Sequence, residues 1–238
     1  MKNAVQSRHF TSDILLDADT IKNQPETVRT LGIPGKSSIL YAVVKRLVDV
    51  FLSSVVLLLL TPLLMLVAIL IKLDSPGPVV FKQKRVGKDQ KLFTIYKFRT
   101  MVDHAEGFLG EMIEKNIIDR KMLKVHNDPR VTRIGKVIRK LSIDELPQLI
   151  NVIIGDMSLI GPRPTSPMEV EQYDEWCKVR LSVLPGISGL WQASGRSRLG
   201  FEKMMELDYE YVMNRGLLLD TIIILQTIPA VFRCEGAE

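Results

Sequence analysis

Two adjacent carboxylates, Asp144 and Glu145, are the residues of this sequence best suited to chemistry. They follow Ser142 at the predicted start of a helix over 146–154. One interpretation is structural, because Ser142 with Glu145 three residues later fits a capping box, and the helix dipole favours acids in the first turn. The other is catalytic: one carboxylate can attack phosphorus while the other holds a divalent metal against phosphate oxygens. The residues alone leave both interpretations open.

Cations that could neutralise these acids and bind phosphate occur at several places in the chain. Arg139 lies just upstream of the pair. Arg163 stands between two prolines that restrict its backbone, so its planar guanidinium can present a fork to a phosphate, although a surface loop arginine would look the same. In the basic segment 81–99, most lysines are expected to face anionic lipid headgroups. Lys97 and Arg99 lie beside the aromatic residues Tyr96 and Phe98, and we expect them to be held rigidly as phosphate-binding residues.

Magnesium is the metal that such a site predicts. Carboxylate and phosphate oxygens are hard ligands, which Mg²⁺ prefers, and we expect Asp144 and Glu145 to be its protein ligands. The three histidines are dispersed, and the two cysteines form no CxxC pair, so the sequence has no zinc or disulfide signature. The net charge of +5 favours anionic partners such as nucleotides, lipid phosphates and membranes. Nucleic acid is not an expected partner, because no nucleic-acid-binding motif occurs.

Residues 50–71 form an uncharged run that would measure about 33 Å as a helix, enough to cross a bilayer. Lys45 and Arg46 precede it and further cations follow it, and positive charge tends to stay on the cytoplasmic side. Pro62 interrupts the hydrogen bonding of the helix, and the Thr61 hydroxyl can bond a carbonyl of the preceding turn. We therefore predict a re-entrant helical hairpin with both ends in the cytoplasm. A single span with a proline kink stays open as the alternative.

The rest of the pattern predicts a mainly α fold with a small β-hairpin. We divide the chain into a polar extension (1–39), the re-entrant membrane helix (40–73) and a cytoplasmic catalytic domain (74–238). The hairpin strands are expected within 79–81 and 92–96. Periodicity predicts amphipathic helices at 103–124 and 168–183. A short basic helix is expected at 131–140, a further helix at 201–214, and an apolar helix at 217–232 that belongs to the core or lies in the membrane interface. Some of these helices should lie on the membrane, which makes the chain a monotopic membrane protein.

Several stretches, taken together and in order, resemble the bacterial sugar transferases, which are monotopic polyprenyl-phosphate phosphoglycosyl transferases. The resemblance covers about 42–236 and is carried by 45–46 (KR), 75–78 (SPGP), 95–101 (IYKFRTM), 141–148 (LSIDELPQ), 155–164 (GDMSLIGPRP) and 185–192 (PGISGLWQ). Any one motif alone would be weak. Larger members carry four extra membrane helices and a further domain ahead of the catalytic unit, so this chain resembles a catalytic core standing alone.

The resemblance implies a reaction. Asp144 would attack the β-phosphate of a UDP-sugar, giving a phosphosugar–aspartyl intermediate and UMP, and polyprenyl (undecaprenyl) phosphate would then take the phosphosugar. The family requires magnesium, which would lie at Asp144 and Glu145. Around this site the resemblance places Lys97, Arg139, Asp156 and Arg163. It also places the family's bend in the membrane helix at Thr61 and Pro62.

Location and substrate follow from the same resemblance. The chain should sit in the bacterial inner membrane with its catalytic domain on the cytoplasmic face. The loop over 189–197 is similar to that of members transferring hexose phosphate, so glucose or galactose is the expected sugar. A membrane-bound phosphohydrolase and a non-enzymatic basic membrane adaptor are the alternative functions, and a homodimer is left open.

Overall fold

The described part of the protein is built from one long apolar helix, a group of shorter helices and two small sheets. The computed structural model describes residues 38–103, 105, 128–195 and 199–232, and the side chains up to 229. The elements in chain order are α1 (Ile39–Asp74), β1 (Val80–Val86), β2 (Leu92–Phe98), α2 (Arg133–Lys140), α3 (Gln148–Ile154), β3 (Ser158–Ile160), α4 (Pro167–Val170), β4 (Gly186–Ser188), α5 (Leu190–Ser194), α6 (Phe201–Asn214) and α7 (Leu217–Phe232). Short 3-10 turns occupy Lys88–Gln90, Ile143–Glu145 and Cys177–Ser182. The prediction of a mainly α fold with a small β-hairpin is confirmed.

The predicted hairpin is formed by β1 and β2, which pair antiparallel from Val80 opposite Phe98 to Val86 opposite Leu92. Side chains alternate between the two faces of a strand, and those of β1 alternate between exposed and half-buried. Asn151 of α3 fastens the hairpin to the helices, since its amide donates to the carbonyl of Thr94 at 2.7 Å. The hairpin is therefore a fixed wall of the domain rather than a free arm.

Helix α1 contains the predicted membrane segment. Pro62 lies inside it, and the Thr61 hydroxyl donates to the carbonyl of Leu57 at 2.8 Å. This is the bond predicted to offset part of the cost of the proline. Within the described ranges, α1 is the one helix long and apolar enough to cross a membrane, and its most apolar stretch is almost entirely exposed. By length, composition and exposure, α1 thus has the properties of a membrane segment.

The first third of α1 is attached to the domain by charged contacts. The ammonium group of Lys45 lies 2.9 Å from the carboxylate of Asp220 on α7. Arg46 donates to the carbonyls of Val152 and Ile153 at 2.6 and 2.8 Å, at the end of α3. A guanidinium at a helix C-terminus satisfies carbonyls that have no partner within the helix. The two cations predicted to flank the membrane segment therefore also bind the soluble domain.

The last third of α1 is attached to the same domain by apolar packing. Val67 and Ile71 are buried against Phe98 of β2 and Ile138 of α2. Asp74 ends the helix and accepts a hydrogen bond of 3.0 Å from the backbone of the first turn of α2. Both ends of α1 consequently contact the domain that follows it in sequence.

Two predictions about local structure were wrong. The stretch 168–183 is not one amphipathic helix but the short α4 and a 3-10 turn, Cys177–Ser182. Tertiary contacts override the periodicity there, because Arg180 is drawn into a buried ion pair with Asp208. The glycine-rich stretch 185–200, predicted as loop, contains β4, which pairs in parallel with β3. That pairing needs glycine at 161 and 186, where an added Cβ would lie within 2.4 Å of facing backbone atoms.

The remaining helix predictions have mixed outcomes. Helices over 131–140, 201–214 and 217–232 are confirmed by α2, α6 and α7. The predicted helix over 103–124 and nearly all of the polar extension lie outside the described residues.

Candidate active site

The acidic pair lies on the 3-10 turn Ile143–Glu145, between α2 and α3. Ser142 precedes it in the left-handed conformation, with φ of +55°, and its side chain makes no capping hydrogen bond. The predicted capping box at Ser142 and Glu145 was therefore wrong. A capping box does occur in the chain, but at Ser166 and Glu169 at the start of α4. Helix capping thus does not account for the acidic pair.

Asp144 is an unusual carboxylic acid in this position. Burial raises its pKa, the adjacent negative charge of Glu145 raises it further, and the pKa reaches about 6. The positive charges of Lys97 and Arg139 oppose this shift. An aspartate with such a pKa remains largely ionised at neutral pH, yet it is poorly solvated, and both properties suit a nucleophile.

Two of the predicted cations lie beside the pair. The ammonium group of Lys97, on β2, contacts the Glu145 carboxylate at 2.7 Å. The Nε of Arg139, in the last turn of α2, donates to the hydroxyl of Thr100 at 2.8 Å, and its charge acts on Asp144. The structure therefore brings together Asp144, Glu145, Lys97 and Arg139 from three separate elements.

Arg163 lies on the loop after β3 and is oriented by its surroundings. Its guanidinium carbon is 5.9 Å from the centroid of the Trp191 ring, which is cation–π distance. Its backbone carbonyl accepts a 2.8 Å hydrogen bond from Arg180. Arg180 is 3% exposed and lies 2.7 Å from Asp208, which is 1% exposed. A buried ion pair thus anchors the loop that carries Arg163.

Arg99 and Asp156 have different surroundings from those expected. Arg99 is 5% exposed and donates to the backbone carbonyls of Ser75, at 2.8 Å, and Pro76. Its guanidinium therefore holds the segment after α1, and we treat it as a positioning residue rather than a phosphate-binding one. Asp156 follows α3, where its backbone N–H donates to the carbonyl of Asn151 at 3.0 Å. Its part in substrate binding stays a prediction.

Sequence reasoning did not single out Arg85, which the structure places at the site. Arg85 lies 3.6 Å from Glu169 and donates to the side chain of Gln83 at 2.7 Å. Burial lowers its pKa, as does the neighbouring charge of Arg163, while the charges of Glu169 and Glu145 raise it. Strand alternation is the signal that could have identified Arg85. Once the hairpin register is known, alternation places Arg85 on the half-buried face of β1 and the lysines on the exposed face.

The acidic pair fits the magnesium site that was predicted. Within the described residues, no group of three or more His, Cys, Asp or Glu side chains is arranged to hold a metal. Mg²⁺ commonly takes one or two carboxylates from a protein and completes its shell with water and substrate phosphate. The repulsion that raises the pKa of Asp144 is what a bound cation would relieve. Two carboxylates are therefore a sufficient donor set.

Comparison with known proteins identifies the family. Residues 40–234 match the family described as bacterial sugar transferase. The exopolysaccharide production protein ExoY of Rhizobium meliloti is 42% identical over 197 residues, which cover 81% of this chain and 87% of that protein. The chain therefore belongs to the bacterial sugar transferase family, and the prediction of a phosphoglycosyl transferase is confirmed with it.

Two other relatives are longer proteins. The undecaprenyl-phosphate galactose phosphotransferase of Salmonella typhimurium is 41% identical over 81% of this chain and 41% of its own length. The UDP-glucose:undecaprenyl-phosphate glucose-1-phosphate transferase of Escherichia coli is 37% identical over 77% of this chain and 39% of its own length. The chain thus matches less than half of each of these two proteins.

Proposed function

We propose that this enzyme transfers a sugar 1-phosphate from a UDP-sugar to undecaprenyl phosphate at a membrane surface and releases UMP. The observation that carries the proposal is the partly buried Asp144, with its raised pKa, set among Glu145, Lys97 and Arg139. The names of the relatives support the acceptor, since they share undecaprenyl phosphate while their sugars differ. The apolar helix α1 supports a lipid substrate, because it attaches the domain to the layer in which such a substrate lies.

In the proposed first step, ionised Asp144 attacks the β-phosphorus of the donor. A bond forms between a carboxylate oxygen and phosphorus, and the bond from phosphorus to the UMP oxygen breaks, so UMP leaves with the electron pair. Lys97, Arg139 and Arg163 offset the negative charge of the phosphate oxygens. In the second step, an oxygen of undecaprenyl phosphate attacks the same phosphorus, and the Asp144 carboxylate is released.

Magnesium is part of the proposal. Asp144 and Glu145 would hold it, and it would supply positive charge to the phosphate oxygens during transfer. Lys97 contacts Glu145 and so orients this carboxylate. The chain's own contribution is therefore to fix the two carboxylates and to surround them with cations.

We also propose that α1 is a re-entrant hairpin in the inner membrane, with both ends and the catalytic domain on the cytoplasmic face. A straight helix of 36 residues would measure about 54 Å. If it crossed the bilayer, its ends would lie on opposite sides, whereas Arg46 and Ile71 both contact one domain. Helix α7 supports an interfacial position, because Leu218 and Leu225 on one face of it are 75% and 63% exposed.

The donor sugar is proposed to be a hexose, glucose or galactose. The loop over 189–197 is the basis of this proposal, and relatives named for galactose, glucose and N-acetylgalactosamine define the range to be tested. The experiment is a panel of UDP-sugars assayed for UMP release in detergent, with magnesium and with or without undecaprenyl phosphate. A lipid-linked sugar diphosphate is the expected product. Free sugar phosphate in its place would identify a phosphohydrolase, and no UMP from any donor would leave the adaptor function.

A further inference from the structure

Arg85 and Lys97 project from the same face of the hairpin. Arg85 stands opposite Phe93, and Lys97 stands opposite Phe81, so the two cations are four strand positions apart. That spacing is about 13 Å along the strands. Lys84 points to the other face and is exposed. Arg85 is therefore separated from its lysine neighbours and directed toward the side of the hairpin that carries the acidic pair.

The loop bearing Arg163 is fastened to the end of β1 next to Arg85. The backbone N–H of Val86 donates to the carbonyl of Thr165 at 2.9 Å. Glu169 joins the two sides: its Oε2 accepts from the hydroxyl of Thr165 at 2.9 Å and faces Arg85 at 3.6 Å. These contacts bring the loop of Arg163 next to Arg85, and Arg163 lies close enough for its charge to act on both Glu169 and Arg85.

A buried chain of hydrogen bonds holds this arrangement from behind. The hydroxyl groups of Thr165 and Tyr173 are 2.7 Å apart, and Arg180 donates to the Tyr173 hydroxyl at 2.8 Å. Arg180 is paired in turn with Asp208. Because buried polar groups joined in this way resist displacement, the loop has little freedom to move away from β1.

The two arginines have hydrogen-bond donors to spare. Arg85 donates to Gln83, its Nε is buried with no hydrogen-bond partner, and Glu169 lies beyond hydrogen-bond distance at 3.6 Å. The guanidinium of Arg163 stacks near Trp191, and among the described residues it has no side-chain hydrogen bond. Two guanidinium groups near one carboxylate leave an excess of positive charge. Such a pair is suited to a phosphate, which accepts several charge-assisted hydrogen bonds.

We infer that Arg85 and Arg163 together bind one phosphate group of a substrate, and that Glu169 is the positioning residue that holds the two arginines in place. The inference rests on the proposed function and deepens it. Its ligand chemistry is a phosphate carrying at least one negative charge. Both the UDP-sugar and the undecaprenyl phosphate offer such a group, so the experiment has to distinguish them.

The test uses the full chain in detergent with saturating magnesium and measures initial rates of UMP release while each substrate is varied in turn. Arg85→Gln is expected to raise the KM of one substrate about 10- to 100-fold, with a smaller effect on kcat. Arg85→Lys should recover part of the loss. Lys84→Gln removes the same charge from the opposite face and should match the wild type.

The outcomes separate the two sources of phosphate. A raised KM for the UDP-sugar assigns the pair to the nucleotide, and a raised KM for undecaprenyl phosphate assigns it to the lipid. Unchanged KM values for both substrates in a folded Arg85→Gln protein would overturn the inference. If the wild type releases no UMP from any donor, the proposed function fails. In that case a thermal-shift measurement with inorganic pyrophosphate decides the inference. Pyrophosphate should raise the melting temperature of the wild type but not that of Arg85→Gln. No effect on the wild type would overturn the inference.

Glu169 needs a test that distinguishes positioning from folding. Glu169→Gln removes the charge between the arginines while keeping an oxygen acceptor, and it should raise the same KM as Arg85→Gln, by about 3- to 10-fold. Ser166→Ala removes the cap of α4 and leaves the Glu169 charge in place, so its KM values should equal those of the wild type. Equal KM values for Glu169→Gln and the wild type would contradict the positioning role.

Discussion

At the residue scale, the proposed nucleophile, Asp144, is available only when its carboxyl is ionised. Its pKa of about 6 lies above that of an ordinary aspartate because the carboxyl is buried beside Glu145. A protonated carboxyl cannot attack phosphorus, so we expect kcat/KM for UMP release to rise with pH through a midpoint near 6 and then level off. A pH–rate profile measured at subsaturating magnesium checks this, because a bound cation would relieve the repulsion from Glu145 and lower the pKa of Asp144. A flat profile between pH 5 and 7 would contradict it.

The same carboxylate should lower the stability of the protein. Its pKa is higher in the folded than in the unfolded chain, so the folded state binds more protons between about pH 4 and 6 and loses stability as the pH rises through that window. Asp144→Asn removes this cost. With magnesium present, we expect this variant to release no UMP. In magnesium-free buffer we expect it to raise the melting temperature at pH 8 by roughly 2 to 6 °C, and not at pH 4. A variant that still releases UMP would exclude the covalent role of Asp144.

Added magnesium should reduce the difference in melting temperature between the wild type and Asp144→Asn. If Asp144 and Glu145 hold the cation, their repulsion disappears when it binds, so the wild type should gain more from added magnesium than Asp144→Asn. Chelation by EDTA should also stop UMP release from the wild type, and added magnesium should restore it. Equal thermal shifts for the two proteins would remove Asp144 from the metal site.

Sequence reasoning identified most of the residues that converge on the site. Asp144 and Glu145 were found because adjacent acids among cations have few uses, and Arg163 because its flanking prolines are conspicuous. Arg85 was missed because the cations of β1 look alike until the register separates the two faces of the hairpin. The backbone partners of Arg99 could not be predicted, since nothing in its neighbours indicates that its guanidinium turns back to bind Ser75 and Pro76.

At the element scale, the long helices and the hairpin followed from periodicity, and the shorter elements did not. A strand of three residues such as β3 contains too little alternation to be recognised, and its pairing with β4 depends on the close approach of Gly161 and Gly186. The turn that carries the acidic pair was taken for a helix start because the left-handed conformation of Ser142 cannot be read from its neighbours. The site residues were thus found before their positions on the elements were known.

The attachment of α1 to α3 can be tested at the same scale. Arg46→Ala removes two short hydrogen bonds to the last carbonyls of α3 and should cost about 2 kcal/mol of unfolding free energy. Denaturant titration in detergent measures it, and Lys91→Ala, at an exposed position in the hairpin turn, is the control. A loss no greater than that of Lys91→Ala would show that Arg46 contributes nothing to the attachment.

At the scale of the whole molecule, the two attachments of α1 determine how the enzyme meets its two substrates. The catalytic domain holds both ends of the helix, through Arg46 on one side and Ile71 on the other. In the proposed re-entrant topology the helix enters the lipid between these points, which would place the acidic pair close to the membrane surface. This position suits a reaction in which one substrate is dissolved in water and the other is anchored in the bilayer.

Cysteine labelling distinguishes the re-entrant hairpin from the single span. Leu40 and Gln90 lie outside the apolar run, one before and one after it, and both are exposed. Each is changed to cysteine in turn, in a chain with Cys177→Ala and Cys234→Ser, and intact cells are treated with a membrane-impermeant maleimide. The hairpin with cytoplasmic ends predicts that neither cysteine reacts until the membrane is permeabilised. Reaction at one position alone would establish a single span. Reaction at both would place the catalytic domain outside the cytoplasm, because position 90 belongs to that domain.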